Sequence, residues 1–147
     1  SELPGLKTLI EQGVKQFQDT AKKWYNKKYG RMEYRDGYIK GLDGIPILVD
    51  SAHKVLVSYL QSDEAIQMEA AYVWLCKQME LRGYQWFKDW GMCIFMHDEY
   101  QLACRAEIAE EVASLARESI AWSGRFFKIA CPHEGATIIG RSWYETH

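Results

Sequence analysis

The chain has 147 residues, of which 48% are hydrophobic and 26% are charged, with a formal net charge of −2. This composition is typical of one globular domain with a core of ordinary size, and it excludes low-complexity and repeat proteins. The apolar runs are far too short for a transmembrane helix, and no signal-peptide pattern is present.

The cysteine pattern indicates a reducing compartment. The four cysteines stand at positions 76, 93, 104 and 131, without the paired spacing of a zinc site or a redox motif. We therefore expect reduced thiols and a cytoplasmic protein.

Charge is unevenly distributed along the chain. Residues 1–40 carry nine Lys and Arg against five Asp and Glu, whereas residues 41–147 carry nine against fifteen. A basic arm beside an acidic body is typical of a protein that meets a polyanion and holds a metal ion. A first helix with a solvated basic face would produce the same imbalance.

The first 40 residues are predicted to be a basic helix and a loop. Pro4 suits a first helical turn, and apolar residues recur at helical spacing from Leu6, which predicts a helix to about Trp24. The following residues, 26–31, interleave cations with a tyrosine. This pattern is typical of nucleic-acid binding, although a tether with its rings packed inward has the same composition.

The middle of the chain is predicted to be a hairpin followed by a long helix. Residues 38–49 read as strand, Asp-Gly turn and strand. Asp50 and Ser51 are suitable N-cap residues, and Gly83 is a suitable terminator, so a helix is predicted between them. Within it, Gln61 is either a polar group held on a rigid support or an ordinary surface glutamine.

A charged tip, His97-Asp98-Glu99, separates two apolar runs of strand composition. Ionised carboxylates are rarely placed between core strands unless a charged partner meets them. The acidic tip, as we call these three residues, is therefore either a binding feature or a solvated turn.

The strand pairing beside the acidic tip depends on which residues form the turn. We expect Asp98 and Glu99 to be the two loop residues, although glutamate poorly supplies the positive φ that such turns favour. This choice predicts three cross-strand pairs: Met96 with Gln101, Phe95 with Leu102, and Cys93 with Cys104.

The last third of the chain is predicted to be a helix and strands. Apolar spacing predicts a helix over 106–123, ended by Gly124, then a strand over 126–131 and a short one over 137–139. Together the elements predict an α+β fold. In it, a small antiparallel sheet with the acidic tip on its central hairpin packs against the long helix and further helices.

These elements resemble the C-terminal palm of a family A (Pol I-type) DNA polymerase of the phage branch. The resemblance is carried by four stretches and a terminal histidine: Ile39-Lys40-Gly41-Leu42-Asp43-Gly44, Ser51-Ala52-His53-Lys54 through Leu60-Gln61-Ser62, 97–101, and Gly140-Arg141-Ser142-Trp143. Their order and spacing match over nearly the whole chain. The resemblance implies a DNA-directed DNA polymerase of DNA replication, with primer-template DNA and dNTPs as partners.

The resemblance also implies roles for individual residues. Asp98 matches the catalytic aspartate that, with a second aspartate from an earlier motif, holds two Mg²⁺ ions, and Glu99 matches the adjacent acid. His97 matches a contact to the primer terminus, and Gln61 matches a glutamine that hydrogen-bonds the minor-groove edge of the terminal base pair. Lys54, in the same matched stretch, is expected to contact DNA.

Four positions depart from the family pattern. Ile45 replaces an arginine, Val57 replaces an asparagine, and Asp63 and Glu64 replace small neutral residues. Each change should weaken primer binding, because attraction to phosphate supplies most of the affinity. These departures favour an alternative, a non-catalytic DNA-binding or assembly module that retains the palm shape. A metal-dependent nuclease that uses the acidic tip is a third interpretation.

The resemblance further implies that this chain, 1–147, is one palm segment of a larger enzyme. In the family, the first palm aspartate, the fingers, the thumb and the exonuclease domain precede the region matched here. We therefore expect those segments to be required, in cis or as a separate chain, and the fragment alone to be inactive. The fragment would be an engineered piece or a split-gene product, located in the host cytoplasm if phage-encoded, without a membrane partner.

Overall fold

The computed structural model describes residues 4–146 and divides the chain into two compact units, Ser1–Ile66 and Gln67–His147. The long helix α2 (Val55–Leu81) contributes residues to both units. The first unit contains one helix and two hairpins besides the start of α2, and the second contains one hairpin and two further helices.

Helix α1 (Pro4–Thr20) ends before the predicted end at Trp24. The Thr20 hydroxyl accepts the backbone N–H of Tyr38 at 2.7 Å and lies 3.0 Å from its carbonyl oxygen, which fixes this end of the helix. The chain then forms a hairpin of β1 (Lys22–Asn26) and β2 (Arg31–Arg35). The predicted helix beyond Thr20 is therefore wrong, since aromatic residues here favour a strand over a further helical turn. Of the predicted loop over 26–31, residues 27–30 form the turn of this hairpin, and its two ends belong to the strands.

The second hairpin confirms the prediction for residues 38–49. Strand β3 (Gly37–Lys40) pairs antiparallel with β4 (Pro46–Val49). In the turn, the Asp43 carboxylate accepts the Ile45 N–H at 2.9 Å, and Gly44 has a φ of +83°. The Asp-Gly pair thus performs the turn chemistry that its sequence predicted.

The core of the first unit joins α1, this hairpin and the start of α2. Its buried members are Phe17, Ala21, Ile39, Val49 and Val55, and Phe17 is completely buried. These residues come from three elements at helical or alternating spacing, so one face of each element is covered.

Helix α2 begins with a 3₁₀ turn (Ala52–Lys54), and Ser51 makes no side-chain capping bond there. Instead its hydroxyl donates to the Asp50 carboxylate at 2.6 Å, so the predicted cap is wrong in its bonding. The predicted end is confirmed. Gly83 has a φ of +79°, and the Tyr84 N–H reaches the Met79 carbonyl at 3.1 Å, which is a Schellman motif.

The second unit packs the end of α2 against a hairpin and helix α3 (Ala109–Phe126), which follows a 3₁₀ turn. The hairpin consists of β5 (Trp90–Met96) and β6 (Glu99–Cys104). The buried core contains Leu75 and Met79 of α2, Trp90 of β5, and Val112 and Leu115 of α3, among others.

Helix α3 continues through Gly124, so the predicted stop there is wrong. Lys128, with a φ of +56°, takes the position that glycine usually occupies, and the Ile129 N–H binds the Gly124 carbonyl at 2.9 Å. Gly124 instead packs against His133, whose ring would lie 3.0 Å from an added Cβ.

The two strands predicted after α3 are also wrong. Phe126 ends the helix, residues 129–142 have no regular structure, and α4 (Trp143–Thr146) follows. The alternation over 126–131 is produced by a helix end and its cap, since Trp122 and Phe126 stack one helical turn apart at 4.8 Å.

The α+β class is confirmed, but the single sheet is not. Within residues 4–146 the strands form three separate two-stranded antiparallel sheets. None of the helices described has the length and apolar character required to cross a membrane.

Candidate active site

The acidic tip lies at the turn of the β5–β6 hairpin, with a different register from the predicted one. Met96 pairs with Glu99, so His97 and Asp98 are the two loop residues. The observed neighbours are Phe95 with Tyr100, Ile94 with Gln101, and Trp90 with Cys104; Cys93 lies in a β-bulge. The predicted pairing of Cys93 with Cys104 is therefore wrong.

The turn geometry explains this register. His97 has a φ of +52°, a conformation that histidine adopts more readily than most residues with a side chain. Glutamate is poorly suited to such a position, and here Glu99 is the first residue of β6 instead. The turn is thus one residue earlier than predicted, and Glu99 does not have to adopt a positive φ.

The two carboxylates of the tip have different surroundings. Asp98 is exposed, and among residues 4–146 its carboxylate has no hydrogen-bond or ion-pair partner. Glu99 is half-buried, and one of its carboxylate oxygens accepts a hydrogen bond from the Gln101 side-chain amide. Asp98 is thus available to a ligand, whereas Glu99 is held by its own strand.

Gln101 is a site residue that the sequence reasoning missed. Its amide nitrogen holds Glu99, and its amide oxygen lies 3.4 Å from the Thr146 hydroxyl. Thr146 belongs to α4, so the end of α4 lies beside β6. The alternation of side chains along a strand places Glu99 and Gln101 on one face, and this signal was present in the sequence.

An aromatic and hydroxyl network supports the base of the tip. The Tyr100 hydroxyl lies 2.6 Å from the Ser119 hydroxyl of α3, and Phe95 stacks on the Tyr100 ring at 5.9 Å. Tyr72 of α2 approaches both rings, at 6.0 and 6.2 Å. Burial is the main cause of the raised pKa of Tyr100, so this hydroxyl stays protonated and holds the hairpin to the helix.

The tip fits one part of a magnesium site. Mg²⁺ prefers carboxylate oxygens, and it is commonly held by one or two of them together with water and substrate phosphates. Asp98 offers such an oxygen, and Glu99 is its neighbour in sequence. Within residues 4–146, no three His, Cys, Asp or Glu side chains are grouped closely enough to hold a metal ion. The tip therefore offers carboxylate oxygens, but the described residues do not form a complete metal site.

Lys54 lies in the 3₁₀ turn before α2, in the first unit. Its ammonium nitrogen is 2.6 Å from an Asp50 carboxylate oxygen, and both side chains are about half exposed. The hydrogen bond from Lys54 is the main cause of the lowered pKa of Asp50. A phosphate that binds Lys54 must therefore compete with Asp50.

Gln61 is exposed on α2, also in the first unit. The structure brings together the three tip residues, all in the second unit, whereas Lys54 and Gln61 are described only within the first. Two of the departures from the family pattern are exposed hydrophobic side chains: Ile45 is 64% exposed and Val57 is 53% exposed. Both positions are thus accessible, but neither provides a polar group.

Comparison with known proteins identifies relatives of this chain. The DNA-directed DNA polymerase of Enterobacteria phage T3 is 32% identical to it over 123 residues, and that of Escherichia phage T7 is 31% identical over 123 residues. Each match covers 80% of this chain but 17% of the polymerase, so the chain spans about a sixth of the length of these relatives. No protein-family profile matches it. The resemblance seen in the sequence is confirmed, and the chain is related to a segment of phage DNA-directed DNA polymerases.

Proposed function

We propose that this chain is the palm segment of a family A DNA-directed DNA polymerase that acts in phage DNA replication in the host cytoplasm. In this proposal, Asp98 supplies one carboxylate of a nucleotidyl-transfer site that uses two Mg²⁺ ions. The observation that carries it is the exposed Asp98 carboxylate, without a partner among the described residues, on a hairpin tip of a chain related to such polymerases.

The acidic tip divides the chemistry between its two carboxylates. Asp98 is the metal ligand, because its oxygens are exposed and uncommitted. Glu99 contributes negative charge beside it and is oriented by Gln101. Bound Mg²⁺ would supply positive charge to neutralise the phosphates and to activate the primer 3′-hydroxyl. The second carboxylate ligand comes from the first palm motif, in cis or on a separate chain.

The remaining candidate residues bind DNA. His97 occupies the other loop position and is exposed, which suits a contact with the primer terminus. Gln61 provides both a donor and an acceptor, which suits the minor-groove edge, where acceptors are similar for all base pairs. When primer-template DNA and a dNTP bind, Lys54 leaves the Asp50 carboxylate and binds a phosphate of the DNA backbone.

Fragment complementation tests this function. The phage T3 polymerase, shortened to lack the segment matched here, is mixed with this chain, and Mg²⁺-dependent primer extension is measured. We expect extension to be restored, and we expect Asp98→Ala to reduce it by at least 100-fold, because the lost carboxylate holds the ions that neutralise transition-state charge. An Asp19→Asn variant, which removes an exposed carboxylate on α1, is the matched control and should extend normally.

One outcome would contradict this proposal, and another would locate the effect in the chemical step. If extension survives in Asp98→Ala, Asp98 is not the metal ligand. If Asp98→Ala binds primer-template DNA as the wild type does but extends it slowly, the loss lies in the chemical step, as expected. Circular dichroism of each variant distinguishes this from unfolding.

A non-catalytic DNA-binding or assembly module is the second candidate. The exposed side chains of Ile45 and Val57 favour it, since they stand where the resemblance implies polar DNA contacts. A complementing mixture that binds primer-template DNA but never extends it, at any Mg²⁺ concentration, would establish this function. Degradation of DNA by the chain alone with Mg²⁺ or Mn²⁺ would instead indicate a nuclease.

A further inference from the structure

The β1–β2 hairpin, residues 22–35, is strongly basic, and we call it the basic ribbon. It carries six Lys and Arg residues and one acidic residue, Glu33. None of the candidate site residues, which are Lys54, Gln61 and the acidic tip, is part of it. Its charge therefore needs an explanation separate from the polymerase site.

The basic ribbon also exposes aromatic side chains. Tyr29 in the turn is 59% exposed, Tyr25 is 58% exposed and Trp24 is 38% exposed. Only Tyr34, near the base, packs against the core of the first unit. Large rings of this kind are usually buried, and three exposed rings on one short hairpin indicate a binding surface.

Cations lie beside these rings. The Arg35 guanidinium is 5.6 Å from the Trp24 ring, and the Tyr29 ring has Lys28 at 5.3 Å and Arg31 at 5.5 Å. The strand register explains the first pair: Lys22 faces Arg35 and Trp24 faces Glu33, so Trp24 and Arg35 share a face. The exposed rings of Trp24 and Tyr29 thus lie within reach of groups that bind phosphate.

Most of the ribbon's positive charge is not neutralised within the chain. Two of its cations are paired: Lys22 with Asp36 and Arg31 with Glu33, each at 3.7 Å. The other four have no carboxylate partner in the part of the chain that the structure describes: Lys23, Lys27, Lys28 and Arg35. At these four cations an anionic ligand meets free charge and displaces no ion pair.

We propose that the basic ribbon is a binding site for single-stranded nucleic acid, with bases stacked on Tyr29 and Trp24 and phosphates held by the neighbouring lysines and arginines. Alternating rings and cations suit a strand whose base faces are uncovered. In a duplex the base faces are hidden, and a peptide of Asp and Glu has no aromatic groups to stack on the rings. The site does not depend on Asp98 or on polymerase activity.

Binding of a dye-labelled (dT)₁₂ oligonucleotide to this chain, followed by fluorescence anisotropy, tests the proposal. We expect Tyr29→Leu to weaken binding about tenfold, because it removes one stacking platform. We expect the double variant Lys27→Gln, Lys28→Gln to reduce the slope of log K against log salt by about 1.4, since each phosphate contact contributes about 0.7 for a single strand.

Matched controls lie outside the ribbon. Tyr144→Leu removes a tyrosine that is 91% exposed, and Lys7→Gln removes an exposed lysine of α1; both should bind the oligonucleotide as the wild type does. Because Tyr29 lies in a turn, Tyr29→Leu should keep the thermal midpoint of the wild type, and Trp24→Leu provides a second stacking variant.

Three results would overturn the proposal. Unchanged binding by Tyr29→Leu and Trp24→Leu would show that stacking is not involved. Equal affinity for a 12-base-pair duplex would indicate a general phosphate contact. Displacement of the oligonucleotide by an oligoglutamate peptide of equal charge, with no loss of peptide binding in Tyr29→Leu, would identify an acidic protein segment as the ligand. A failed complementation test with Asp98 would leave this binding assay unaffected.

Discussion

At the scale of single residues, the hydroxyl pair Tyr100 and Ser119 decides how firmly the acidic tip is held. Ser119 is completely buried, and its hydroxyl donates to the Ala116 carbonyl at 2.7 Å. The Tyr100 hydroxyl must therefore donate to Ser119, so the chain of hydrogen bonds has one direction. Each partner is satisfied, which is what a buried polar pair requires.

Because the Tyr100 hydroxyl donates to Ser119, removing either hydroxyl should lower the free energy of unfolding by a different amount. Ser119→Ala leaves the Tyr100 hydroxyl without its acceptor and should lower the free energy of unfolding by about 1–3 kcal/mol. Tyr100→Phe removes the donor but leaves Ser119 bonded to Ala116, so it should cost about 1 kcal/mol. Urea unfolding measures both, with the exposed Tyr144→Phe as control. Equal losses would contradict the assigned direction.

The raised pKa of Tyr100 predicts a dependence of stability on pH. Burial raises it above the ordinary value of 10.0, so the folded state holds the phenolic proton more tightly than the unfolded state. The resulting stabilisation is complete below pH 10 and is lost as the pH rises through the folded-state pKa. We expect the free energy of unfolding to fall above pH 10 and to fall less steeply in Tyr100→Phe. Denaturant titrations from pH 8.5 to 11.5 measure the free energy of unfolding of both proteins. If this prediction is wrong, the curves of the wild type and of Tyr100→Phe against pH will be parallel.

At the scale of elements, the contact of β3 with α1 depends on a glycine. A Cβ at Gly37 would lie 2.5 Å from the Phe17 carbonyl oxygen and 2.6 Å from its ring. Backbone atoms cannot yield as a flexible side chain can, so strand and helix would have to separate. This close approach brings the second hairpin onto the buried Phe17.

Two glycine substitutions of opposite sign test this contact. Gly37→Ala should destabilise the chain by about 1–3 kcal/mol or more, because it overpacks the first core. Gly5→Ala, on α1, has nothing within 4 Å of its added Cβ and should stabilise by about 0.5–1 kcal/mol through helix propensity. Thermal and urea unfolding give both signs. A neutral Gly37→Ala would show that α1 and β3 are not packed as described.

At the scale of the whole molecule, the buried hydrophobic residues within 4–146 form two clusters, one in each unit. Phe17 and Val49 belong to the first core, and Leu75 and Trp90 belong to the second. Helix α2 supplies buried residues to both clusters, Val55 at its start and Met79 near its end.

Core substitutions should therefore act locally in hydrogen exchange. Leu75→Ala should cost about 2–5 kcal/mol of local stability and speed exchange in β5, β6 and α3. Phe17→Ala should do the same in β3 and β4. Exchange measured by mass spectrometry under native conditions distinguishes these patterns. A uniform increase throughout the chain in either variant would indicate a single cooperative unit.

Patterns of hydrophobicity and turn residues predicted much of the fold. Particular residues show why the ends of α1 and α3 were not predicted correctly. Gly83 and Lys128 end α2 and α3 by the same Schellman geometry, yet only the glycine signals it in the sequence. After Lys128, alternating residues resembled a strand. Trp24 and Tyr25 fit either a helix or a strand, and the contact of Thr20 with Tyr38 decided the outcome.

The hairpin that carries the candidate site was predicted from sequence, but its register was not. The acidic tip lies on a hairpin as expected, while the register shifted because His97 tolerates positive φ. The support from Ser119 comes from a helix 19 residues away in the chain, and no local pattern reveals such a contact. The roles of the tip residues in catalysis stay predictions.

The sharing of α2 between two cores also sets an order of assembly during synthesis. The first core is complete once Val55 has left the ribosome, because its other buried members precede it in the chain. The second core includes Ala116. Leu75 and Met79 therefore stay exposed to solvent while about 40 further residues are synthesised. During that interval the C-terminal half of α2 presents apolar side chains without their partners. A nascent chain paused there would expose apolar surface that the finished chain buries, and we expect it to aggregate more readily than the finished chain.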